Sequence, residues 1–225
     1  MTSTVGLREW EAMLSGAIAE VRAAHPWLSE LDSTCGDGDH GTTMLRAADR
    51  LEKCVEQSSG KSVEALLGDV AWTLMGLDGG ATGPLLGSFF LGVSESVGAR
   101  DELDTSSLAE VFEAGLAAMA RQSRAQVGDK TMLDALVPAI RALRQGASEG
   151  RPPEHVLRSA ALAAQEGAAS TKALVARVGR AKYLGEKTLG AQDPGATSVS
   201  LLFKGFHKGI ETLEAHRRTL HVEKS

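Results

Sequence analysis

Apolar residues recur at three- and four-residue spacing along nearly the whole chain, which is the pattern of helices that bury one face. The sequence contains no convincing period-2 pattern of the kind that strands give. Alanine and leucine dominate the apolar residues and isoleucine occurs only three times, a composition that favours helices. The sequence therefore predicts an all-α fold. The clearest stripes are Leu7, Trp10, Leu14, Ile18 and Val21; Val63, Leu66, Val70 and Leu74; Leu108, Phe112, Leu116 and Met119; Leu133, Leu136, Ile140 and Leu143; and Val199, Leu202, Phe206, Ile210 and Leu213.

Turn signals, beginning with Pro26, divide this helical pattern into eight segments. Composition does not shift along the chain, so we expect residues 1–225 to form a single domain. Short connections favour antiparallel neighbours, which predicts an up-and-down arrangement. The stretch 178–194 is longer than an ordinary connection, and loops of that length often carry function. The segments are approximately residues 5–24, 41–57, 62–77, 82–97, 106–124, 130–146, 153–177 and 195–215.

Charge and hydropathy exclude several classes of partner. The net charge is −5 and basic residues form no cluster, which argues against nucleic acid and against an anionic membrane surface. No apolar run approaches the roughly 20 residues that span a bilayer. The sequence MTSTVGLREWEAML lacks the features of a secretory signal, and Cys35 and Cys54 form neither a disulfide framework nor a metal motif. We therefore expect a soluble, cytoplasmic protein.

Glycine is over-represented, with 25 residues in a chain of 225, about 11% against a usual level of roughly 7%. Because glycine weakens helix interiors, we expect most of these residues in turns, and close helix packing at those such as Gly68, Gly92 and Gly115 that fall inside helices. The turns that enter the even-numbered segments are the glycine-rich ones. They read CGDGDHGTT (35–43), DGGATGP (78–84), VGDKTM (127–132) and GAQDPGATS (190–198).

In an up-and-down bundle these four turns lie at the same end of the molecule. Helix N-termini carry free N–H groups and a partial positive charge, which suits the binding of phosphate groups. Gly79, Gly80 and Gly83 allow the backbone to approach a ligand closely. The sequence therefore predicts one polyphosphate site at the end formed by the N-termini of the even helices.

Three acidic residues, Asp32, Asp37 and Asp39, are predicted to lie in the turn before the second helix. Carboxylates this close repel one another unless a cation lies between them, and all-oxygen ligands suit Mg2+ beside phosphates. A calcium loop that started at Asp37 would need glycine and glutamate where Thr42 and Ala48 stand, so that motif is absent. The alternative is that one aspartate caps the helix and the others are solvated turn residues.

Taken together and in this order, the motifs resemble the nucleotide-binding L subunit of the dihydroxyacetone kinases, the DhaL family. The matching strings are Asp32 with GDGDHGTTM, GGATGPLLG, GDKTMLDALVP and GRAKYLGEKTLGAQDPGATS, which span residues 32–198. The resemblance implies an eight-helix, up-and-down antiparallel barrel that binds Mg-nucleotide at one end, with ADP or ATP as the nucleotide. It also implies that the histidine which carries the substrate belongs to a separate K subunit.

The resemblance assigns roles to individual residues. It implies that Asp32, Asp37 and Asp39 hold two Mg2+ ions, and that Met132 packs against adenine. Arg180 is expected to close the site from the long loop as the catalytic cation, together with Asp193, Pro194 and Gly195. The residues expected over the phosphates are His40, Gly41, Thr42 and Thr43 at the second helix and Ala81 and Thr82 at the fourth.

Physical chemistry is consistent with these roles and leaves simpler alternatives. Asp193 followed by Pro194 is a favourable N-cap with proline at the first helical position. Arg180 is a fixed cation suited to charge that develops on a transferred phosphoryl group, although a surface arginine is the alternative. Met132 by itself is more often a core residue than an adenine contact.

The resulting functional hypothesis is a phosphotransferase subunit that presents a terminal phosphate to a short-chain hydroxyketone held on a K-type subunit. Two donor schemes exist in the family: ATP as an exchanged substrate, or bound ADP as a coenzyme recharged by a protein of the sugar phosphotransferase system (PTS). The separate chain favours the second scheme, whereas the string GDGDHGTT favours the first, and ATP is slightly preferred. Other hypotheses are a fatty-acid-kinase-like role and a regulatory binding module.

Overall fold

The computed structural model describes residues 4–78 and 80–222, with side chains described up to residue 219. These residues form eight α-helices, and two 3-10 elements, Thr171–Ala173 and Arg180–Thr188, lie between the last two. The predicted all-α fold of eight helices is therefore confirmed. The helices are α1 (Leu7–Cys35), α2 (His40–Glu56), α3 (Val63–Met75), α4 (Thr82–Val97), α5 (Thr105–Gln122), α6 (Leu133–Ser148), α7 (Pro153–Ser170) and α8 (Pro194–Val222).

The helices form a closed ring around one hydrophobic core. Each helix contacts the next along the chain, and α8 packs along α1. Phe112 of α5 lies in the core with its ring centroid 5.7–6.1 Å from those of Trp10, Phe89, Phe203 and Phe206, so residues of α1, α4, α5 and α8 meet there. None of the helices in the described ranges is long and apolar enough to cross a membrane.

Helix α1 is longer than the sequence predicted, because it continues through Pro26 to Cys35. Proline has no N–H to donate to the carbonyl four residues earlier, which here belongs to Arg22. The Nδ1 atom of His25 lies 2.8 Å from that carbonyl oxygen and supplies the missing hydrogen bond. The prediction that Pro26 ends the helix was therefore wrong. As a consequence Asp32 lies in the last turns of α1 and not in the turn before α2.

Several glycines inside helices allow neighbouring backbones to approach closely, as expected for Gly92 and Gly115. A Cβ atom added at Gly92 would lie 2.6 Å from the Cβ of Ala118 on α5, and one added at Gly115 would lie 2.8 Å from the carbonyl oxygen of Phe89. Gly68 differs, because its nearest such neighbour is the Ser94 hydroxyl at 3.5 Å. Close packing therefore explains Gly92 and Gly115 but not Gly68.

This difference gives a stability prediction with a built-in control. Gly92→Ala is expected to lower the free energy of unfolding by about 1–3 kcal/mol, because the added methyl group overpacks the contact between α4 and α5. Gly68→Ala is expected to leave stability unchanged or to raise it by up to about 1 kcal/mol, since alanine favours a helix. Urea denaturation followed by circular dichroism measures both values. Equal effects of the two substitutions would contradict the assignment of close packing to Gly92.

Candidate functional site

A cavity of about 300 Å³ lies at one end of the barrel. Residues at the starts of all four even helices line it, namely His40, Thr82, Leu133 and Pro194. Cys35, at the end of α1, lines it as well. The structure therefore brings the four glycine-rich turns to one end, as the sequence predicted. Since the first N–H groups of a helix have no partner within the helix, this end of the barrel is suited to an anion.

The acidic cluster lies at the edge of this cavity. Each of Asp32, Asp37 and Asp39 can offer one carboxylate oxygen to a group whose members lie within 4.8 Å of one another. Asp32 is buried in α1 and also accepts a hydrogen bond from the His40 backbone N–H at 3.3 Å. Partial desolvation and the negative charge of Asp37 raise the pKa of Asp39. Three oxygen donors in this arrangement fit a hard divalent cation such as Mg2+.

Arg180, which also lines the cavity, brings positive charge to the same cluster. It begins the 3-10 helix between α7 and α8, and its guanidinium forms an ion pair with Asp37, 143 positions earlier in the chain. This contact lowers the pKa of Asp37. Arg180 was expected near the helix N-termini, and it lines the cavity that they share; its pairing with the acidic cluster was not part of that expectation.

Of the four residues at the start of α2 that were predicted to face phosphate, two line the cavity and two do not. His40 and Thr43 are buried and line the cavity, and the His40 Nε2 atom lies 2.7 Å from the Ser198 hydroxyl on α8. Burial lowers the pKa of His40, which favours the neutral ring. Gly41 instead faces α1, where an added Cβ would lie 2.0 Å from the His25 carbonyl oxygen. Thr42 is exposed, and in the described structure neither Gly41 nor Thr42 lines the cavity.

The turn before α4 reaches the cavity through Gly80, Ala81 and Thr82. Gly80 has a φ of +59°, a conformation that favours glycine. Gly83 lies against α3, where an added Cβ would be 2.7 Å from the Leu74 carbonyl oxygen. Gly79 lies outside the described residues. The backbone of this turn therefore contributes to the cavity wall beside the acidic cluster.

The turn before α6 is organised by Asp134, a buried residue that the sequence analysis did not single out. Its carboxylate accepts hydrogen bonds from the backbone N–H groups of Gly128 at 2.6 Å and Thr131 at 2.7 Å. These contacts hold Met132 at the cavity wall with 7% of its surface exposed. The available signal was the string GDKTMLD, in which an aspartate three residues after a threonine can accept hydrogen bonds from the preceding turn.

The start of α8 has the predicted N-cap. The Asp193 side chain accepts a hydrogen bond from the Ala196 N–H at 2.7 Å, and Pro194 is the first residue of the helix. Burial raises the pKa of Asp193 to about 7. Asp193, Pro194 and Gly195 all line the cavity. The predicted residues of this turn are therefore brought together with Met132 and Arg180 around one space.

The fold and the site define a class of protein: an all-α barrel with an acidic cluster and four helix N-termini around one cavity, suited to a polyphosphate with a divalent cation. The chain belongs to the DAK2 domain family, whose model matches residues 34–208. This result confirms the resemblance to the DhaL subunits that was inferred from the sequence motifs.

Relatives of similar length include two bacterial proteins. The chain is 36% identical to the ADP-binding subunit DhaL of the PEP-dependent dihydroxyacetone kinase of Escherichia coli, over 79% of this chain and 85% of the relative. It is 39% identical to the ADP-binding subunit DhaL of the PTS-dependent enzyme of Lactococcus lactis, over 87% of this chain and 92% of the relative.

A solved structure supports the same family. The dihydroxyacetone kinase of C. freundii in complex with AMP-PNP and Mg2+ matches with a TM-score of 0.69 and 28% sequence identity. The match covers 88% of this chain but only 33% of that longer protein. The nucleotide analogue and the metal ion belong to the C. freundii complex.

Proposed function

We propose that this chain is the nucleotide-binding phosphotransferase subunit of a dihydroxyacetone-kinase-like enzyme, and that it acts as one domain in the cytoplasm. The observation that carries the proposal is the convergence of four helix N-termini and three aspartates on one cavity. The ADP-binding subunits named among the relatives, at 36% and 39% identity, support this assignment. The acceptor is a short-chain hydroxyketone such as dihydroxyacetone.

In this proposal the residues around the cavity divide the work of binding Mg-ADP or Mg-ATP. Backbone N–H groups at the starts of α2 and α4, with the hydroxyl groups of Thr43 and Thr82, donate to the phosphates. Met132 packs against the adenine ring. Asp32, Asp37 and Asp39 would hold two Mg2+ ions, whose positive charge would offset that of the phosphate oxygens.

A histidine beside acidic residues often acts in catalysis. In this proposal His40 contributes to the phosphate site and is not a catalytic nucleophile. Its Nε2 atom lies within hydrogen-bond distance of the Ser198 hydroxyl, so its ring joins the starts of α2 and α8. His40 also lines the cavity, and its backbone N–H donates to the Asp32 carboxylate, so in this proposal His40 borders the phosphates and orders the residues around them. The substrate-carrying histidine is assigned to the K-type partner and not to this chain.

Arg180 is proposed to be the catalytic cation. Its guanidinium pairs with Asp37, and it lines the same cavity as the helix N-termini. With nucleotide bound, this guanidinium would donate to a phosphoryl group in the same cavity. Such a cation stabilises the charge that develops on the phosphoryl oxygens during transfer.

The acceptor is proposed to lie on a separate K-type subunit that docks over the cavity. Exposed apolar side chains concentrate at this end of the barrel, and such side chains often mark interaction surfaces. Of the seven large ones in the described residues, only Leu162 lies elsewhere. The others are Tyr183, Leu184 and Leu189 between α7 and α8, Val127 before α6, Trp72 in the last turn of α3 and Trp27 in the second half of α1.

We propose that the phosphoryl donor is a PTS protein and that ADP remains bound as a coenzyme. Relatives that this chain matches over most of their length, among them the proteins of E. coli and L. lactis, are named as subunits of PEP-dependent or PTS-dependent enzymes. This observation outweighs the slight preference for ATP that the string GDGDHGTT gave. A PTS phosphoryl-donor protein is therefore a second proposed partner.

Reconstitution tests the function and the donor in one experiment. The purified chain is mixed with a K-type subunit, Mg2+ and dihydroxyacetone, and dihydroxyacetone phosphate is measured by a coupled dehydrogenase assay. We expect product with a phosphorylated PTS donor protein, and native mass spectrometry should show ADP retained on the purified chain. Product with ATP alone and no retained ADP would instead favour the ATP scheme. Complex formation without product under any donor would favour the regulatory hypothesis over the kinase.

A further inference from the structure

Lys130 is a buried cation that the proposed function does not use. Only 3% of its surface is exposed, and its φ of 62° makes it the one residue other than glycine with positive φ in the described ranges. Its ammonium group donates only to main-chain carbonyl oxygens. These are Thr171 at 2.7 Å, Leu174 at 3.2 Å, Thr188 at 2.8 Å and Ala191 at 2.6 Å.

The four carbonyl groups belong to the two ends of one segment, residues 171–193, which we call the strap. Thr171 and Leu174 lie at its start, and Thr188 and Ala191 lie near its end. The Lys130 ammonium group therefore joins the two ends of the strap, and we call the place where these ends meet the base of the strap. The part of the strap between them carries Arg180.

Other hydrogen bonds across the base of the strap are few and are neutral. There are three: the Gly190 N–H donates to the Lys172 carbonyl at 2.8 Å, the Ala176 N–H to the Thr188 hydroxyl at 3.0 Å, and the Asp193 N–H to the Thr171 hydroxyl at 2.9 Å. Hydrogen bonds made by a charged donor are roughly twice as strong as neutral ones. Lys130 therefore supplies a large share of what fixes the base of the strap.

The position of Lys130 has an energetic cost. A non-glycine residue in the left-handed region costs of order 1–3 kcal/mol when it is held at a special site. A buried ammonium group also loses its hydration, and this burial lowers the pKa of Lys130. Four carbonyl oxygens surround the Lys130 ammonium group and replace part of its lost hydration. Such strain is retained where surrounding structure depends on it.

We propose that Lys130 is a positioning residue that fixes the strap so that Arg180 reaches the acidic cluster and the phosphoryl group. The structural part of this inference concerns the base of the strap. The functional part rests on the proposed role of Arg180 in phosphoryl transfer. The two parts are tested separately.

The structural part is tested by limited proteolysis. Chymotrypsin cleaves after tyrosine, and Tyr183 on the strap is the only tyrosine of the chain. Lys130→Met is expected to speed cleavage after Tyr183 at least tenfold while the helical circular dichroism signal is retained. The matched control is Lys172→Met, an exposed lysine of the same segment, for which we expect a change of less than twofold. Equal cleavage of the Lys130→Met and native chains would overturn the proposal.

The functional part is tested by combining Lys130→Met with Arg180→Gln in the reconstituted enzyme. If Lys130 acts through Arg180, we expect Lys130→Met to lower kcat at least tenfold and to change Mg-ADP affinity less than threefold. The kcat of the double variant should then lie within threefold of the kcat of Arg180→Gln. Losses that multiply in the double variant would overturn that coupling. If reconstitution gives no activity at all, the proposed function fails, while the proteolysis result still decides the role of Lys130.

A second variant guards against misfolding. Lys130→Gly removes the ammonium group and accepts the φ of 62° without strain, so it tests the side chain alone. A folded Lys130→Gly chain with rapid cleavage after Tyr183 supports the proposal, and native-like protection overturns it. If both variants lose the helical signal, Lys130 is needed by the whole barrel, and a role confined to the strap is overturned.

Discussion

Asp37→Asn is expected to lower phosphoryl transfer in the reconstituted enzyme by roughly a thousandfold, with the helical fold retained. The substitution keeps the shape of the side chain but removes one of the three negative charges that would hold Mg2+. Without the charge of the metal ion, the transferred phosphoryl group and the leaving group lose much of their stabilisation. The dihydroxyacetone phosphate assay gives the activity, and circular dichroism gives the helix content.

A matched control separates charge at the site from charge in general. Asp49 is also an exposed aspartate paired with an arginine, Arg22, but it lies on α2 outside the cavity. Asp49→Asn is expected to leave transfer within twofold of the native value. More than a tenth of native activity in Asp37→Asn would contradict the assignment of Asp37 to the metal site.

Arg180→Gln is expected to lower kcat by about a hundredfold to a thousandfold with little effect on Mg-ADP affinity. The reason is that its guanidinium stabilises charge on the phosphoryl group in the transition state more than in the bound nucleotide. Arg180→Lys should recover little of this loss, because a lysine lacks the planar, two-pronged donor group. Steady-state kinetics with the K-type subunit measures kcat, and calorimetry measures affinity.

The control for Arg180 is a neighbouring arginine on the strap. The Arg177 side chain is 73% exposed, and its nearest carboxylate, that of Asp129, is 4.0 Å away. Arg177→Gln should therefore change kcat by less than threefold. Comparable losses in both variants would indicate that general positive charge on the strap matters, and Arg180 would then lose its assigned role as the catalytic cation.

The arrangement of the helices was predictable because it depends on local patterns. Apolar stripes indicated helices, turn signals divided them into eight segments, and short connections predicted their alternating direction. That alternation alone places the turns at Gly36, Gly80, Gly128 and Gly190 at one end, and the structure has them there. The helix N-cap at Asp193 was predictable for the same reason, since the capping residue and its partner are three positions apart.

The features that were not predictable from the sequence are of two kinds. Some are contacts between residues far apart in the chain, and one is a helix that continues past a proline because a side chain replaces the lost hydrogen bond. Pro26 normally stops a helix, and α1 passes it because the His25 side chain bonds the carbonyl that proline leaves free. The pair of Asp37 with Arg180 spans 143 positions. The partners of Lys130 are main-chain carbonyl groups, which every residue has, so no side-chain pattern in the sequence indicates them.

The site residues themselves were predictable mainly through the motif resemblance, and their orientation was not. Gly41 and Thr42 lie in the same string as His40 and Thr43, yet only the latter two line the cavity. The difference arises because α2 packs against α1 through Gly41, which turns one side of the helix start away from the cavity. A sequence motif identifies the residues of a turn, but it does not show which of these residues a neighbouring helix covers.

Calorimetric titration of ADP into the chain, after any retained nucleotide has been removed, tests for a Mg-nucleotide site without a partner subunit. We expect one ADP per chain in the presence of Mg2+, at least tenfold weaker binding when EDTA removes the metal, and a comparable loss in Asp37→Asn with Mg2+ present. Affinity that is the same with Mg2+ and with EDTA, or that is unchanged in Asp37→Asn, would contradict a Mg-nucleotide site at the acidic end of the barrel.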